Sequence, residues 1–181
     1  QEQWYTSFVS TRFRKIIEHY IGDLVYGAND GIITTFAVIA GAAGASLSSS
    51  IVIVLGIANL IADGFSMGAS KYLSTRSEQS LEEARNLHRG AFADGAATFI
   101  AFVIAGALPL IPFFYETSTE HTFWISSIAT GIALFLVGAA RSFVIKKNFI
   151  VAGVEMLIVG GVAAIIAYGI GHYIQTLIQT L

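Results

Sequence analysis

Cysteine is absent from this 181-residue chain, which excludes disulfides, thiolate metal sites and cysteine nucleophiles. Charge is scarce too. Asp, Glu, Lys and Arg together make up 12%, about half of what a soluble domain carries. No charged leader, short apolar core and cleavage site open the chain, so no secretory signal is expected. The first residue is Gln rather than Met, which predicts a natural N-terminus further upstream. What remains is apolar: 55% hydrophobic residues and a mean hydropathy of +0.70. The composition is that of an integral membrane protein, with room for one membrane domain and no separate soluble one.

Five apolar stretches are long enough to cross about 30 Å of hydrocarbon as helices. They lie near residues 24–45, 51–73, 92–114, 123–145 and 149–174. The expected fold is therefore all-α, a polytopic membrane protein with five transmembrane helices in residues 23–181. Residues 1–22 read as an amphipathic interfacial helix. Trp4, Phe8, Phe13, Ile16, Ile17, Tyr20 and Ile21 recur there at helical spacing, with Arg14, Lys15 and Glu18 largely elsewhere.

The net charge of −2 says little, but the placement of charge says much. Arg12, Arg14 and Lys15 precede the first span. Lys71, Arg76, Arg85 and Arg89 surround the second connection, and Arg141, Lys146 and Lys147 the fourth. The first connection, Ser46–Ser50, is uncharged, and the third carries Glu116, Glu120 and His121 but no Lys or Arg. This positive-inside pattern predicts a cytoplasmic N-terminus and, with five spans, a C-terminus outside. The basic residues are thus a topology signal, and no nucleic-acid partner is expected.

Against this background, intramembrane acids stand out, because an ionisable group in a bilayer costs about 2.5–3.5 kcal/mol even on lenient insertion scales. Asp30 sits in the first span and Asp63 in the second. Asn59, Asp63 and Met67 are spaced i, i+4, i+8 and share one helix face, flanked by Ser66 and Ser70. Asp30 and Thr34 are likewise one turn apart, with Asn29 beside them as an accessory. If these faces pack together, oxygen ligands meet one thioether, a mixed set suited to a borderline divalent ion such as Fe(II) or Mn(II). Packing is the rival role for Met67, and a structural hydrogen bond the rival for Asp30. Glu155, in the fifth span, is a third buried acid that can serve the path or pair with Lys146 or Lys147. Glu78 and Glu82, one turn apart in the second connection, are a candidate capture site or an ordinary solvated face with Arg85 and Arg89.

Small residues are dense. Gly27 and Gly31, Gly64 and Gly68, and Ala37, Gly41 and Ala45 fit small-xxx-small spacing, for packing within the bundle or between copies. Gly160-Gly161 is expected to interrupt the fifth span. The run Gly64-Phe65-Ser66-Met67-Gly68 matches G-x-S-x-G, but that motif needs a strand-turn-helix context, and none of the four His residues lies in a span core to act as base. The chain is not expected to be an enzyme.

The residues Asp23–Gly31, the run Ala58–Gly68 with Tyr72 and Ser77-Glu78, and Gly153-Val154-Glu155-Met156-Leu157 resemble the vacuolar iron transporter family. The resemblance covers most of the chain from Asp23 onward. It implies a homodimer with its pathway at the dimer axis, exporting Fe(II), and often Mn(II), from the cytosol in exchange for protons. Asp30 matches the family's essential first-helix aspartate and Met67 its second-helix methionine. Two departures matter: Asn59 stands where well-studied members have glutamate, and the second connection is a stub where many carry a Glu- and Met-rich metal-collecting domain.

The expected function is a homodimeric, proton-coupled exporter of Fe(II) or Mn(II), with no permanently bound cofactor and with the bilayer, metal ions and protons as partners. Asp30 exchanges proton for metal, and Met67, Asp63 and Asn59 extend the path. The alternatives are a passive divalent-cation channel or a non-transporting membrane subunit. A prokaryotic cytoplasmic membrane is the expected location, a vacuolar membrane the alternative.

Overall fold

In lipid, every backbone N–H and C=O must find its partner within the protein, so an apolar chain without β-alternation resolves into helices. The computed structural model describes the backbone of residues 2–82, 90–115, 119–145 and 148–181, with side chains from Tyr20 onward except at 81–82, 119 and 143–145. Helix α1 spans Glu2–Gly44, α2 Ser49–Glu82, α3 Ala91–Gly106, α4 Thr119–Ile145 and α5 Phe149–Gln179, and a 3₁₀ segment, Leu108–Phe114, follows α3. Five stretches are long and apolar enough to cross a membrane: Tyr20–Gly44, Ser49–Ser80, Ala91–Phe114, Glu120–Ser142 and Phe149–Gln179. The all-α, five-span expectation agrees with these to within a few residues at most ends. Large side chains such as Phe65, Ile104, Ile128, Leu136 and Ile165 point outward, as a lipid-facing surface requires.

The helix expected to carry Glu78 and Glu82 is present, since α2 stays helical through Glu82. Two local features differ from the sequence reading. The glycine pair Gly160-Gly161 does not interrupt the fifth span; α5 is continuous through it. Lipid leaves an opened helix no water to bond, so glycine is kept helical, and Gly160 instead admits the Leu134 side chain. Conversely, the third span is not one α-helix. Proline cannot donate to the ladder, and Pro109 and Pro112 turn its last seven residues into 3₁₀ helix. The Ser126 hydroxyl of α4 donates to the Pro109 carbonyl at 2.6 Å, tying the break to its neighbour. Helix α1 runs unbroken past Gly22, so the segment before the first span and the span itself are one continuous helix.

The α1–α2 turn is tight and specified locally. Ser46 takes a left-handed conformation (φ 55°), its N–H donates to the Ala43 carbonyl, and the Leu47 N–H donates to the Ala42 carbonyl. This is a Schellman end with serine in the place glycine usually takes. Helix α3 then packs against both arms of the hairpin. A Cβ at Gly31 would collide with the Phe102 carbonyl, and one at Gly106 would stand 2.7 Å from the Gly31 carbonyl. Gly68 and Gly95 oppose each other in the same reciprocal way, at 2.8 and 2.6 Å. The small-residue faces of α1 and α2 are therefore taken up inside the chain, against α3. Gly41 and Gly44 similarly receive α5, where Gly171 faces the Gly41 carbonyl. A core of Phe36, Ile39, Val52, Leu60, Phe102 and Leu110 fills the centre.

Replacing Gly31 with Val drives a side chain into the α3 backbone and should destabilise the fold by roughly 1–3 kcal/mol. Gly161→Ala, where an added Cβ meets nothing within 4 Å, should leave the thermal midpoint in detergent unchanged. Equal midpoints for the two variants would show that the close α1–α3 approach contributes nothing.

Candidate functional site

The turn sets which residues of α1 and α2 stand level. Asp30 and Asp63 each lie 16 residues from the Ser46-Leu47 pair, roughly 24 Å along the helix axes. Asp63 is close enough for its charge to act on Asp30. Both residues are partly buried. Among the described residues, no hydrogen bond reaches the Asp30 carboxylate. The Thr34 hydroxyl donates at 2.9 Å to the Asp30 main-chain carbonyl, so that pair is used up locally.

Continuing from the turn, Asp23 comes level with Lys71, about 35 Å out and past a hydrocarbon core of about 30 Å. Here the register is seen directly, in a 2.7 Å ion pair between Lys71 Nζ and Asp23 Oδ1. The other carboxylate oxygen, Asp23 Oδ2, is buried and has no hydrogen-bond partner among the described residues. One turn further along the face from Asp63, toward the α1–α2 turn, the Asn59 amide has its Nδ2 buried and unpartnered. Since amide N and O can exchange places, Asn59 can offer either a donor or an acceptor there.

Asn59, Asp63, Met67 and Lys71 thus form one stripe along α2, matched on α1 by Asp30 and Asp23. Met67 is partly buried and packs against the apolar core, so its thioether also fills space. The remaining candidates lie elsewhere. Glu155 is 4.0 Å from Arg141, and Asn29 lines a crevice between α1, α4 and α5 together with that arginine. Glu78 lies exposed on the last turns of α2, and the side chain of Glu82 is outside the described residues, as are Glu83 and His88. Among the described residues, no three His, Asp or Glu side chains converge as a metal cage.

Three features escaped the sequence reading. The Asp23–Lys71 pair needed the hairpin register, although the i, i+7 spacing of Asp23 and Asp30 places them on one face. Asp94 is almost fully buried, with the Thr75 hydroxyl donating to it at 3.4 Å, and it stabilises the α2–α3 contact near the basic end. The third was legible in spacing: Ala58, Ala62, Ser66 and Ser70 recur every four residues, and all are exposed. They make a ridge of small side chains directly beside the stripe.

A family model described as the VIT family matches residues 21–91 and 81–172. The chain is 24% identical to a protein named vacuolar iron transporter in Toxoplasma gondii, over 88% of this chain and 76% of that protein. It is also 24% identical to a vacuolar iron transporter of Plasmodium berghei (87% and 83% covered) and to vacuolar iron transporter 1 of Eucalyptus grandis (86% and 87% covered). The match to the Toxoplasma protein runs over 228 positions, more than the 181 residues of this chain, so that relative carries residues with no counterpart here. The five apolar helices and a match that spans nearly all of them lead to one assignment: the chain belongs to the VIT family, whose members are metal transporters and not enzymes.

Proposed function

We propose that this protein is a homodimeric, proton-coupled transporter that moves Fe(II), and Mn(II) with it, out of the cytosol. One observation carries the reading: on adjoining membrane-spanning helices, Asp63 lies near enough to Asp30 for its charge to act on it. Two negative charges brought that close are accommodated by a proton or by a divalent cation. Those are the two species an exchanger trades, and the relatives named vacuolar iron transporters supply the class of metal.

In this reading the stripe orders the events. With the basic residues on the cytoplasmic side, an incoming cation first meets Asp23, whose second oxygen is still free, and displaces the Lys71 ammonium. It then passes Met67 to the Asp30–Asp63 pair, releases the proton held there, and leaves past Asn59. Along the stripe itself, the described residues of one chain offer two carboxylates, an amide and a thioether at this depth. The exposed ridge Ala58, Ala62, Ser66 and Ser70 lets a second α2 approach closely. Two-fold pairing along it would double the ligand set around a shared axis.

We also read the chain as a short form of the family. The two matched pieces overlap at residues 81–91, the connection between α2 and α3. An extra metal-collecting segment in longer relatives would fit there, and Glu78 and Glu82 are what this chain has in its place.

Proteoliposomes carrying a pH-sensitive dye test the exchange. Wild type should show Fe(II) entry matched by opposite proton flow. Asp30→Asn should keep its helicity and dimer but lose both fluxes; metal entry without proton movement would instead identify a channel. Lys71→Gln removes the competing ammonium and should lower the KM for metal about two- to fivefold, with little change in maximal rate. A higher KM in that variant would mean that Lys71 aids entry rather than competing with it. Ala62→Phe should shift the detergent-solubilised protein from dimer to monomer by light scattering, and an intact dimer would place the interface elsewhere.

A further inference from the structure

About a quarter turn around α1 from the carboxylate stripe, a crevice of about 360 Å³ opens between α1, α4 and α5. Its walls are mostly apolar, with Gly22 and Tyr26 from α1, Gly138 from α4 and Met156 from α5. Two polar groups enter it. Asn29 Oδ1 is buried and has no hydrogen-bond partner. Among the described residues the Arg141 guanidinium is held at arm's length, 4.0 Å from both Glu155 Oε2 and the Met156 sulfur. A guanidinium carries five donors, and contacts at that range satisfy none of them well.

Position narrows what such a group would hold. Gly22 and Asn29 lie roughly 36 and 26 Å from the α1–α2 turn, so the crevice runs from the basic headgroup level into the hydrocarbon. Tyr26 on its rim is 63% exposed, so it opens sideways toward lipid. An inorganic anion would gain one cation and lose its water against apolar walls. A ligand with an anionic head and an apolar body fits every part of it.

We propose that this crevice binds an anionic phospholipid, with the phosphate on Arg141, an ester carbonyl accepting from the Asn29 amide, whose N and O can exchange places, and the acyl chains leaving past Tyr26. Arg141 then exchanges its distant contact with Glu155 for direct, charge-assisted hydrogen bonds to phosphate oxygens. The lipid fills the space that α1 leaves beside the Gly138 contact, where α4 closes on Ala152 and Met156 of α5. This role is independent of which ion the carboxylate stripe carries, and it needs no transport to be measured.

The test uses purified full-length protein in mild detergent, with added phosphatidylglycerol or phosphatidylcholine of the same acyl composition. Bound lipid is counted by native mass spectrometry, and thermal midpoints are read in parallel. Phosphatidylglycerol should be retained and should raise the midpoint, and phosphatidylcholine should do neither. Arg141→Gln should weaken phosphatidylglycerol binding about tenfold or more. Gly22→Leu should do the same by filling the crevice, since an added Cβ there meets nothing within 4 Å. Glu155→Gln frees the guanidinium and should strengthen binding. Equal retention of the two lipids would overturn the proposal, as would equal protection by inorganic phosphate, which would mark a site for free anions. Equal destabilisation by Arg141→Gln and Glu155→Gln without any lipid dependence would reduce the pair to an internal strut. Should Arg141→Gln fail to fold, Gly22→Leu decides the question with the pair intact.

Discussion

Contact between backbones, made possible where side chains are missing, governs this bundle. Lipid tails are as apolar as the helices they surround, so burying leucines against leucines gains little in a membrane. What distinguishes one helix arrangement from another is how closely the backbones approach. Here α3 sits with its Phe102 carbonyl against Gly31 and with Gly95 against Gly68, pressing on both arms of the α1–α2 hairpin. Each of these contacts is one or a few residues from a polar member of the stripe: Gly31 follows Asp30, Gly64 follows Asp63, and Gly68 follows Met67. The residues that fix the helices and those that carry charge alternate along the same turns. Chemistry is therefore held to the accuracy of the packing.

The hairpin adds the second coordinate. A Schellman turn of fixed length determines which residue of α1 faces which residue of α2, and the Asp23–Lys71 pair checks that register at the far end. Between these two anchors the carboxylates of Asp30 and Asp63 have no freedom to slide apart. Two of the buried polar atoms that find no hydrogen-bond partner among the described residues, Asp23 Oδ2 and Asn59 Nδ2, lie along this axis; Asn29 Oδ1, Thr35 Oγ1 and Thr130 Oγ1 lie off it.

Much of this was legible in sequence because the bilayer is a simple solvent. Twenty or so apolar residues have one solution, so the five spans follow from hydropathy, and intramembrane acids single themselves out. The errors came where two neighbours decide the outcome. Gly160-Gly161 looks like a break, yet whether glycine opens a helix depends on what packs beside it, and there Leu134 fills the gap. Pro109 and Pro112 do break a helix, but their effect hides within an unbroken apolar run. The partner of Asp23 could not be known before the register was. The ridge of Ala58, Ala62, Ser66 and Ser70 was available by counting, and was overshadowed by the more conspicuous glycines.

The 3₁₀ segment has a geometric consequence for how the third span crosses the membrane. The sixteen residues of α3 reach only about 24 Å as α-helix, short of a hydrocarbon core of about 30 Å. Wound as 3₁₀ helix, the seven residues Leu108–Phe114 rise about 14 Å rather than the 10 or so of an α-helix. The two prolines thus stretch the chain as well as interrupting it. They bring the third span to the opposite surface with fewer residues, leaving it near the start of α4 with little chain left to spend on the connection.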